Sequence, residues 1–371
     1  MMLLMIPGPV QVHERIIRAM CRQMIGHRSA EFGAILKFCS EVMKDVFGTR
    51  GEVFFISGSG TAGVEAAIAS FSKVNKIVTL ENGKFGERLG EIAERYCEVE
   101  RLNFDWGKPI ELEKLKEALE KGANAVAFVH NETSTGMLNP AEEIAKIAKK
   151  YGAFTIMDAI TSAGGDYVKM DEWGIDVAVV GSQKCLGAPP GIAVVAVNES
   201  AWEFYNPKCP YYLDLKAYKK KFGELQTPYT PAIPLFFALE EALKIIKEEG
   251  LENRIRRHRK MSKAVREWAK EAGFKLFPQI DGKAEYSNTV TAILIPNGIT
   301  EKELREELRR EYGILISGGQ EKVKGKIFRI GTMGNIGKFE VICTLAALED
   351  VMRRKGIDVS ALDVAMRILG D

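Results

Sequence analysis

The sequence has 371 residues, of which 46% are hydrophobic and 27% are charged, and its formal net charge is +2. A chain of this length can bury a large core and corresponds to about two domains of ordinary size. Acidic and basic residues are interspersed, which indicates neither a nucleic-acid-binding stripe nor a disordered acidic tail. The apolar opening at residues 1–6 has no cationic flank and is too short for a signal peptide or a membrane span. Nucleic acids and membranes are therefore not expected as partners.

The cysteines and histidines exclude two further classes of site. Six cysteines are scattered along the chain without a CxxC pair, which in a chain of this length is typical of reduced thiols in a cytoplasmic protein. The four histidines lack the spacing of metal ligands, so no metal site is predicted.

Between residues 50 and 200, continuous apolar runs alternate with helical patterns. Continuous hydrophobicity predicts strands covered on both faces, and the alternation predicts the βαβ units of an open α/β sheet. Ligands of such sheets bind at the carboxyl ends of strands, so the residues after each run are the candidates for function. The predicted strands are 53–56, 76–80, 125–130, 154–158, 176–182 and 192–197, and a predicted helix covers 140–150.

The pattern changes after Pro234. Two amphipathic helices are predicted at 235–249 and 252–272, and the arginines and lysines of the second are interpreted as a solvated surface. Further on, strands at 289–294 and 327–330, helices at 301–312 and 338–355, and the lack of repeats indicate a smaller α+β domain. We therefore expect a large domain at 15–250 and a small C-terminal domain at 251–371, joined by the N-terminal segment 1–14.

A glycine-rich loop follows the first predicted strand and contains Gly58, Gly60 and Gly63. Glycines let the backbone curl closely around an anion, and the helix that follows presents unpaired N–H groups to it. The glycine spacing also matches the dinucleotide fingerprint, and Glu81 lies where that motif places its ribose-binding acid. The loop predicts phosphate binding but does not choose between pyridoxal 5′-phosphate (PLP) and a nicotinamide dinucleotide. A tight turn without a ligand is the third alternative.

Two later strands end in residues that favour PLP. One delivers Asp158 and the other delivers Gln183 and Lys184. PLP chemistry requires a lysine amine for the Schiff base and an acid that keeps the pyridine nitrogen protonated. Lys184 ends an apolar run and enters a loop of small residues, which is unusual for a solvated lysine, whereas Asp158 could also cap a turn. Lys184 and Asp158 are the predicted catalytic residues.

The segment 176–191, in which Gln183 and Lys184 precede a Cys-Leu-Gly-Ala-Pro-Pro-Gly turn, closely resembles the lysine region of class V PLP-dependent aminotransferases. The similarity is greatest to the alanine–glyoxylate and serine–pyruvate aminotransferase group, and it extends from Pro7 to Gly331. It implies the PLP-dependent transferase fold type I: an α/β fold with a mostly parallel seven-stranded sheet in the large domain, plus a smaller α+β C-terminal domain. It also implies a PLP-dependent transaminase that uses alanine or serine as donor and glyoxylate or pyruvate as acceptor.

The resemblance assigns cofactor contacts residue by residue. Thr61 and Gln183 match contacts to the phosphate, with Ser59 and Gly60 in the same loop. Two more positions match contacts to the pyridine ring, and each has an alternative interpretation. Phe85 would stack on the ring, or else be a core phenylalanine, and Thr133 would lie near the ring oxygen, or else form an ordinary hydroxyl turn.

The stretch 227–231 resembles the segment that one subunit lends to its neighbour's phosphate. That resemblance assigns Tyr229 and Thr230 to cofactor binding and implies a homodimer with shared active sites. Ala232 stands where some family members carry a phosphate-binding threonine. The alternative interpretation is a rigid interdomain linker.

Arg329 lies in the apolar run 327–330, where a charged side chain requires a partner. A guanidinium grips a carboxylate with two hydrogen bonds. The family resemblance assigns Arg329 to the substrate's α-carboxylate and places Gly8 at the mouth of the substrate site. A buried ion pair with a structural acid is the alternative for Arg329.

Three other functional classes remain as alternatives. A cysteine desulfurase or related lyase shares this fold, but such enzymes usually carry histidine beside the lysine, where this chain has Gln183. A nicotinamide-dependent dehydrogenase would use the Gly58, Gly60 and Gly63 loop. A non-catalytic interaction subunit could keep the fold, although the presence of both Lys184 and Arg329 favours an enzyme.

Overall fold

The computed structural model describes residues 2–370, and its centre is a seven-stranded sheet. In chain order the strands are β1 (Glu52–Ser57), β2 (Ile77–Glu81), β3 (Val99–Asn103), β4 (Ala125–Val129), β5 (Phe154–Asp158), β6 (Val177–Gly181) and β7 (Ile192–Val197). Across the sheet their order is β1-β7-β6-β5-β4-β2-β3, and β7 alone among them runs antiparallel to its neighbours. The predicted mostly parallel α/β sheet is confirmed.

Alternating residues of the strands pack into two apolar cores, one on each face of this sheet. In β1, Val53 and Phe55 join one core, whereas Phe54 and Ile56 join the other. Strands β4, β5 and β6 are buried along their whole length, as their continuous hydrophobicity predicts. Helices cover both faces and have the bounds Glu14–Met20, Ala30–Phe47, Gly60–Ser70, Lys84–Ala93, Leu112–Glu120, Ala141–Lys150, Met170–Trp173, Leu215–Phe222 and Ile233–Glu249.

Strand β3 was absent from the predicted set. It is an edge strand with only one neighbour, its first four residues are half-buried and its last is exposed. Its sequence, which mixes glutamate, arginine and asparagine with two apolar residues, therefore lacks the continuous hydrophobicity of the central strands.

A third apolar core lies beneath a small antiparallel sheet formed by β8 (Val290–Leu294), β9 (Ser317–Gly318) and β10 (Ile327–Gly331). Its helices are Leu251–Glu271, Glu301–Glu307, Lys338–Arg354 and Leu362–Gly370. The predicted helix at 301–312 ends at Glu307 and continues as a π-helical turn to Tyr312, and the helix Leu362–Gly370 was not predicted. The boundary between residues 250 and 251 stays a prediction.

The N-terminal segment crosses from the smaller part of the molecule to the large sheet. Leu3–Leu4 pairs in parallel with Ile314–Leu315, and the N–H of Gly331 donates to the carbonyl of Met5 at 2.8 Å. Further along, the N–H of Val10 donates to the carbonyl of Gln183 at 3.1 Å. The segment therefore reaches the end of β6, where Lys184 lies.

Short elements complete the structure within residues 2–370. They are the strands Asn131–Glu132, Met137–Leu138 and Glu285–Tyr286, and the 3-10 turns Glu199–Phe204, Tyr211–Leu213 and Glu321–Val323.

Across residues 2–370 each helix is too short or too polar to traverse a lipid bilayer.

Candidate active site

A pocket opens at the carboxyl edge of the large sheet, where the sheet's strand order places ligands. Eight of the predicted residues line it, together with five that were not predicted. The predicted ones are Ser59, Gly60, Thr61, Phe85, Thr133, Asp158, Gln183 and Lys184, and the others are Arg88, Val129, Asn131, Ile160 and Thr161. Larger surface grooves of about 550 and 590 Å³ contain none of the predicted residues.

The helix after β1 points its N-terminus into this pocket. Ser59 is the N-cap residue of Gly60–Ser70, and its hydroxyl makes no capping bond. The helix sits closely on the sheet because a Cβ at Gly63 would lie 2.7 Å from the side chain of Val179. The uncapped N–H groups and the helix dipole form an anion site.

Two buried acceptors of the pocket have no hydrogen-bond partner among residues 2–370. They are Asn131 Oδ1 and Gln183 Oε1. Leaving a buried polar atom unpaired costs about 1–3 kcal/mol, so both atoms indicate that the pocket receives a polar ligand.

Glu81, the acid required by the dehydrogenase alternative, is not available to a ribose. Its buried carboxylate accepts two hydrogen bonds of 2.8 Å from Arg101 and one of 2.6 Å from the hydroxyl of Thr79. The dinucleotide-binding interpretation of the glycine-rich loop therefore lacks the free ribose-binding acid that it requires.

Asp158 ends β5 and is buried at the base of the pocket. One of its oxygens accepts the backbone N–H of Ile160 at 2.8 Å. Burial raises the pKa of this carboxyl to about 7, and the nearby carboxylate of Glu132 adds to the rise. A cationic partner at this position would hold Asp158 ionised.

Lys184 follows β6 and begins a turn closed by a 3.0 Å hydrogen bond from the N–H of Gly187 to its carbonyl. Its amine donates to the carbonyl of Pro7. Gly8 lies so close that a Cβ there would be 2.6 Å from Lys184 Cδ, and its φ of +89° also favours glycine. Burial lowers the pKa of the Lys184 amine to about 8, so a fraction of it is neutral near pH 7.

Arg329 lies in β10, buried, and does not itself line the pocket, but its guanidinium contacts the backbone of Thr133 in the pocket wall. It donates to the carbonyl of Gly318 at 2.7 and 3.0 Å and to the carbonyl of Thr133 at 3.0 Å. Among residues 2–370 no carboxylate lies within 4 Å of its guanidinium, although Glu132 and Glu301 act on it from a greater distance, so the structure shows no direct ion pair at Arg329. Burial lowers its pKa to about 10, which leaves the guanidinium charged at neutral pH.

Two charged residues of the site were missed from the sequence. Glu132 is fully buried, and its carboxylate accepts the backbone N–H groups of Phe85 at 3.1 Å and Gly86 at 3.0 Å, which fixes the first turn of the helix Lys84–Ala93. Arg88 lies one turn further on, with its guanidinium 4.9 Å from the centre of the Phe85 ring. The spacing of three between Phe85 and Arg88 is the signal that could have placed Arg88 here.

Hydroxyl and amide groups connect the pocket wall. Thr133 Oγ1 lies 2.8 Å from Thr161 Oγ1, and Asn131 Nδ2 donates to the same Thr161 oxygen at 2.7 Å. Thr133 is thus part of a buried polar network and not of an isolated hydroxyl turn.

Tyr229 and Thr230 do not reach this pocket within one chain. Tyr229 stacks on Tyr212 with ring centres 4.9 Å apart, and its hydroxyl donates to the carbonyl of Tyr211 at 2.6 Å. Tyr211 itself is 83% exposed, and Thr230 is also exposed.

The fold and the residues at the strand ends define a PLP-dependent enzyme of fold type I, since a half-buried lysine and a buried acid line one pocket with an anion-binding helix end. The aminotransferase class-V family model matches residues 11–352, and this chain belongs to that family. It is a PLP-dependent aminotransferase.

Curated relatives and solved structures cover almost the whole chain. An uncharacterized aminotransferase of Methanocaldococcus jannaschii is 44% identical over 99% of this chain and 97% of its own length. A soluble hydrogenase small subunit of Synechococcus sp. is 39% identical over 95% and 94%. A serine–glyoxylate aminotransferase of Arabidopsis thaliana is 35% identical over 96% and 91%. The crystal structure of ureidoglycine–glyoxylate aminotransferase from Bacillus subtilis is 33% identical, covers 100% of this chain and 98% of its own, and has a TM-score of 0.92.

Proposed function

We propose that this aminotransferase moves the amino group of alanine or serine to glyoxylate or pyruvate, with Lys184 and Asp158 as its catalytic residues. The observation that carries the proposal is a single pocket at the sheet edge that is lined by Lys184, Asp158 and an uncapped helix end. The names of relatives support glyoxylate as the acceptor, since a serine–glyoxylate and an alanine–glyoxylate aminotransferase are among them. Those same names favour a transaminase with a small amino-acid donor over a lyase or a dehydrogenase.

The pocket residues fit PLP. The phosphate would bind the N–H groups at Ser59, Gly60 and Thr61, with the side chain of Gln183 also lining the pocket. The ring would lie on Phe85, with Thr133 at its edge and its nitrogen on Asp158. When bound, PLP supplies an aldehyde that condenses with amines and a ring that withdraws electrons from the substrate's Cα.

Each charged residue then has one task. Arg329, charged and without an acidic partner in the described chain, binds the carboxylate of the amino acid or 2-oxo acid. Lys184, with its lowered pKa of about 8, would take the proton from the substrate's Cα and deliver it to the C4′ carbon of the cofactor, two bonds away. Asp158 would be held ionised by the cationic ring of bound PLP and would keep the ring nitrogen protonated. Gly8 and Pro7 cover the lysine side chain and exclude water from it.

The tyrosine cluster of Tyr211, Tyr212 and Tyr229 supports the homodimer. An exposed group of stacked aromatic rings is typical of a protein interface, because such rings bury much area at low entropic cost. In the proposed homodimer, Tyr229 and Thr230 would reach the phosphate of the partner's pocket, so each active site would be shared. We also assign the protein to the cytoplasm, because all six cysteines are free.

A spectral titration tests the function. PLP-loaded protein is mixed with a panel of amino acids, and the visible absorption band of the bound cofactor is followed, with free PLP as the control. Alanine or serine should bleach the band, and glyoxylate or pyruvate should restore it. Bleaching by larger amino acids alone would overturn the proposed substrates, and an unresponsive band would overturn the proposed residues.

A further inference from the structure

Arg254 is a fully buried arginine at the start of the helix Leu251–Glu271, which the sequence pattern had assigned to a solvated cationic face. That prediction is wrong for this residue. Its guanidinium donates to the carbonyl of Cys185 at 2.7 and 3.3 Å and to the carboxylate of Glu249 at 2.8 Å. Cys185 is the residue that follows Lys184, so a cation from the smaller part of the molecule holds the turn that carries the lysine.

Arg257 lies one turn further along the same helix and shares Glu249. It donates to that carboxylate at 2.7 and 3.1 Å, and to the carbonyls of Gly334 at 3.0 Å and Ile336 at 2.7 Å. These carbonyls belong to the turn that follows β10, the strand of Arg329. Glu249 is thereby the common acid of two arginines, one bound to the turn that carries Lys184 and the other to the loop after the strand of Arg329.

We propose that Glu249, Arg254 and Arg257 are positioning residues that set the two halves of the active site against each other. Arg254 holds the turn of Lys184, and Arg257 holds the turn after Arg329. The inference rests on the proposed roles of Lys184 and Arg329, and it adds to them a distinct requirement on residues that touch neither substrate nor cofactor.

The packing of the turns leaves little freedom once the arginines are in place. Gly187, with φ of +79°, closes the Lys184 turn, and a Cβ there would lie 3.1 Å from Asn335 and 3.5 Å from Arg254. Asn335 also accepts a hydrogen bond of 3.4 Å from Arg254, so the two turns meet at this point. His258 adds a further tie, because its Nε2 accepts the N–H of Gly334 at 3.0 Å.

Stability alone is a poor reason for this arrangement. Burying a guanidinium removes it from water, and apolar residues of similar size often stabilise a core equally well. Polar ties between loops instead fix geometry, and displacing a reacting group by about 1 Å can slow a reaction about 100-fold.

The test separates kcat from KM in matched variants of the PLP-loaded enzyme. Arg254→Met should lower kcat about 10–100-fold with KM changed less than about twofold, and should slow the appearance of the visible band when PLP is added. Arg257→Met should raise KM for amino and 2-oxo acids about tenfold and leave the band unchanged. Glu249→Gln should show both effects, and Arg254→Lys should recover part of kcat. Arg256→Met, at an exposed position of the same helix, is the control that should match wild type.

The proposal would be overturned if the Arg254 and Arg257 variants changed kcat and KM equally and in proportion to their loss of melting temperature. An Arg254→Met enzyme with wild-type kcat and PLP binding would also overturn it. If wild-type protein failed to transaminate the small amino acids, the proposed substrates would be at fault. If Arg254→Met folds, its rate of PLP binding would still test the role of Arg254. If it does not fold, the kcat and the PLP-binding rate of Arg254→Lys would test that role instead.

Discussion

Strand β10 and the start of the helix Leu251–Glu271 each bury an arginine, yet the two regions satisfy it differently. Arg329 donates only to the carbonyls of Gly318 and Thr133. Arg254 donates to a carbonyl as well, but also to the carboxylate of Glu249. A buried cation that contacts an acid, even one shared with a second arginine as Glu249 is, has part of its charge balanced within the fold, whereas one that contacts only carbonyls keeps its charge for a ligand.

The same distinction separates the other buried charges. Glu81 is paired with Arg101, and both serve the sheet edge. Lys184 and Asp158 have no ion-pair partner within 4 Å among residues 2–370, and burial brings both pKa values close to neutrality, to about 8 and about 7. The unpaired groups collect at the carboxyl edge of the sheet, which is where the proposed chemistry would take place.

The largest effect should come from the unpaired amine. Lys184→Ala should lower kcat about 10⁴-fold, because no other group can carry the proton, and it should abolish the visible band of bound PLP. Steady-state assays and absorption spectra measure the two results. Lys121→Ala, at an exposed position, is the matched control. Turnover within tenfold of wild type would show that the amine is not required.

The buried carboxyl should make the PLP-free protein less stable as pH rises. The pKa of Asp158 is raised from 3.8 to about 7, so between these values the native state holds a proton that the unfolded state has lost. Stability from this group is complete below about pH 4 and is lost as pH passes 7, with an amplitude of about 4 kcal/mol. Urea unfolding of the PLP-free protein at several pH values measures it. Asp158→Asn should remove this slope, and an identical slope in that variant would contradict the assignment.

The unpaired guanidinium should control the affinity for carboxylates. Arg329→Ala should lower kcat/KM about 100-fold for both amino and 2-oxo acids through a rise in KM, because a charge-assisted hydrogen-bond pair contributes about 3 kcal/mol. Arg329→Lys should fall between this variant and wild type, since the ammonium cannot form two parallel bonds. PLP absorption should remain. An unchanged KM in Arg329→Ala, with Arg309→Ala as the exposed control, would mean that another group binds the carboxylate.

The smallest effect is expected at Arg88, whose only described contact is with the Phe85 ring. Arg88→Met should weaken PLP binding about fivefold, because a half-buried cation over an aromatic ring contributes about 1 kcal/mol. Equilibrium binding of PLP, followed by absorbance, measures the change. Arg88→Lys should retain most of the affinity. A much larger loss in Arg88→Met would place Arg88 among the residues that bind PLP directly.

The central strands and the residues at their ends were predictable because both signals are local. Continuous apolar runs identify β5 and β6. Asp158 is the last residue of β5, and Lys184 follows shortly after the end of β6. Strand β3 and the helix Leu362–Gly370 were missed, since a half-buried edge strand and a short terminal helix carry weaker patterns.

The burial of charged side chains could not be predicted, because it depends on partners that are distant in the sequence. Arg254 resembles its exposed neighbour Arg256 until the fold brings Cys185, 69 residues away, against it. Glu132 likewise looks like a turn residue, but it meets the N–H of Phe85 across 47 positions. Tertiary contacts, and not local composition, decide which charges lie inside.

The N-terminal segment couples the small sheet to the cover over Lys184. Residues 3–5 are hydrogen-bonded to Gly313, Leu315 and Gly331 beside the small antiparallel sheet, while Pro7 and Gly8 lie against the Lys184 side chain at the edge of the large sheet. A rotation that moved the small sheet away from the large sheet would at the same time move Pro7 away from the Lys184 amine. The active-site pocket would then open in the same movement that uncovers Lys184, because only a few residues of the N-terminal segment connect the two regions.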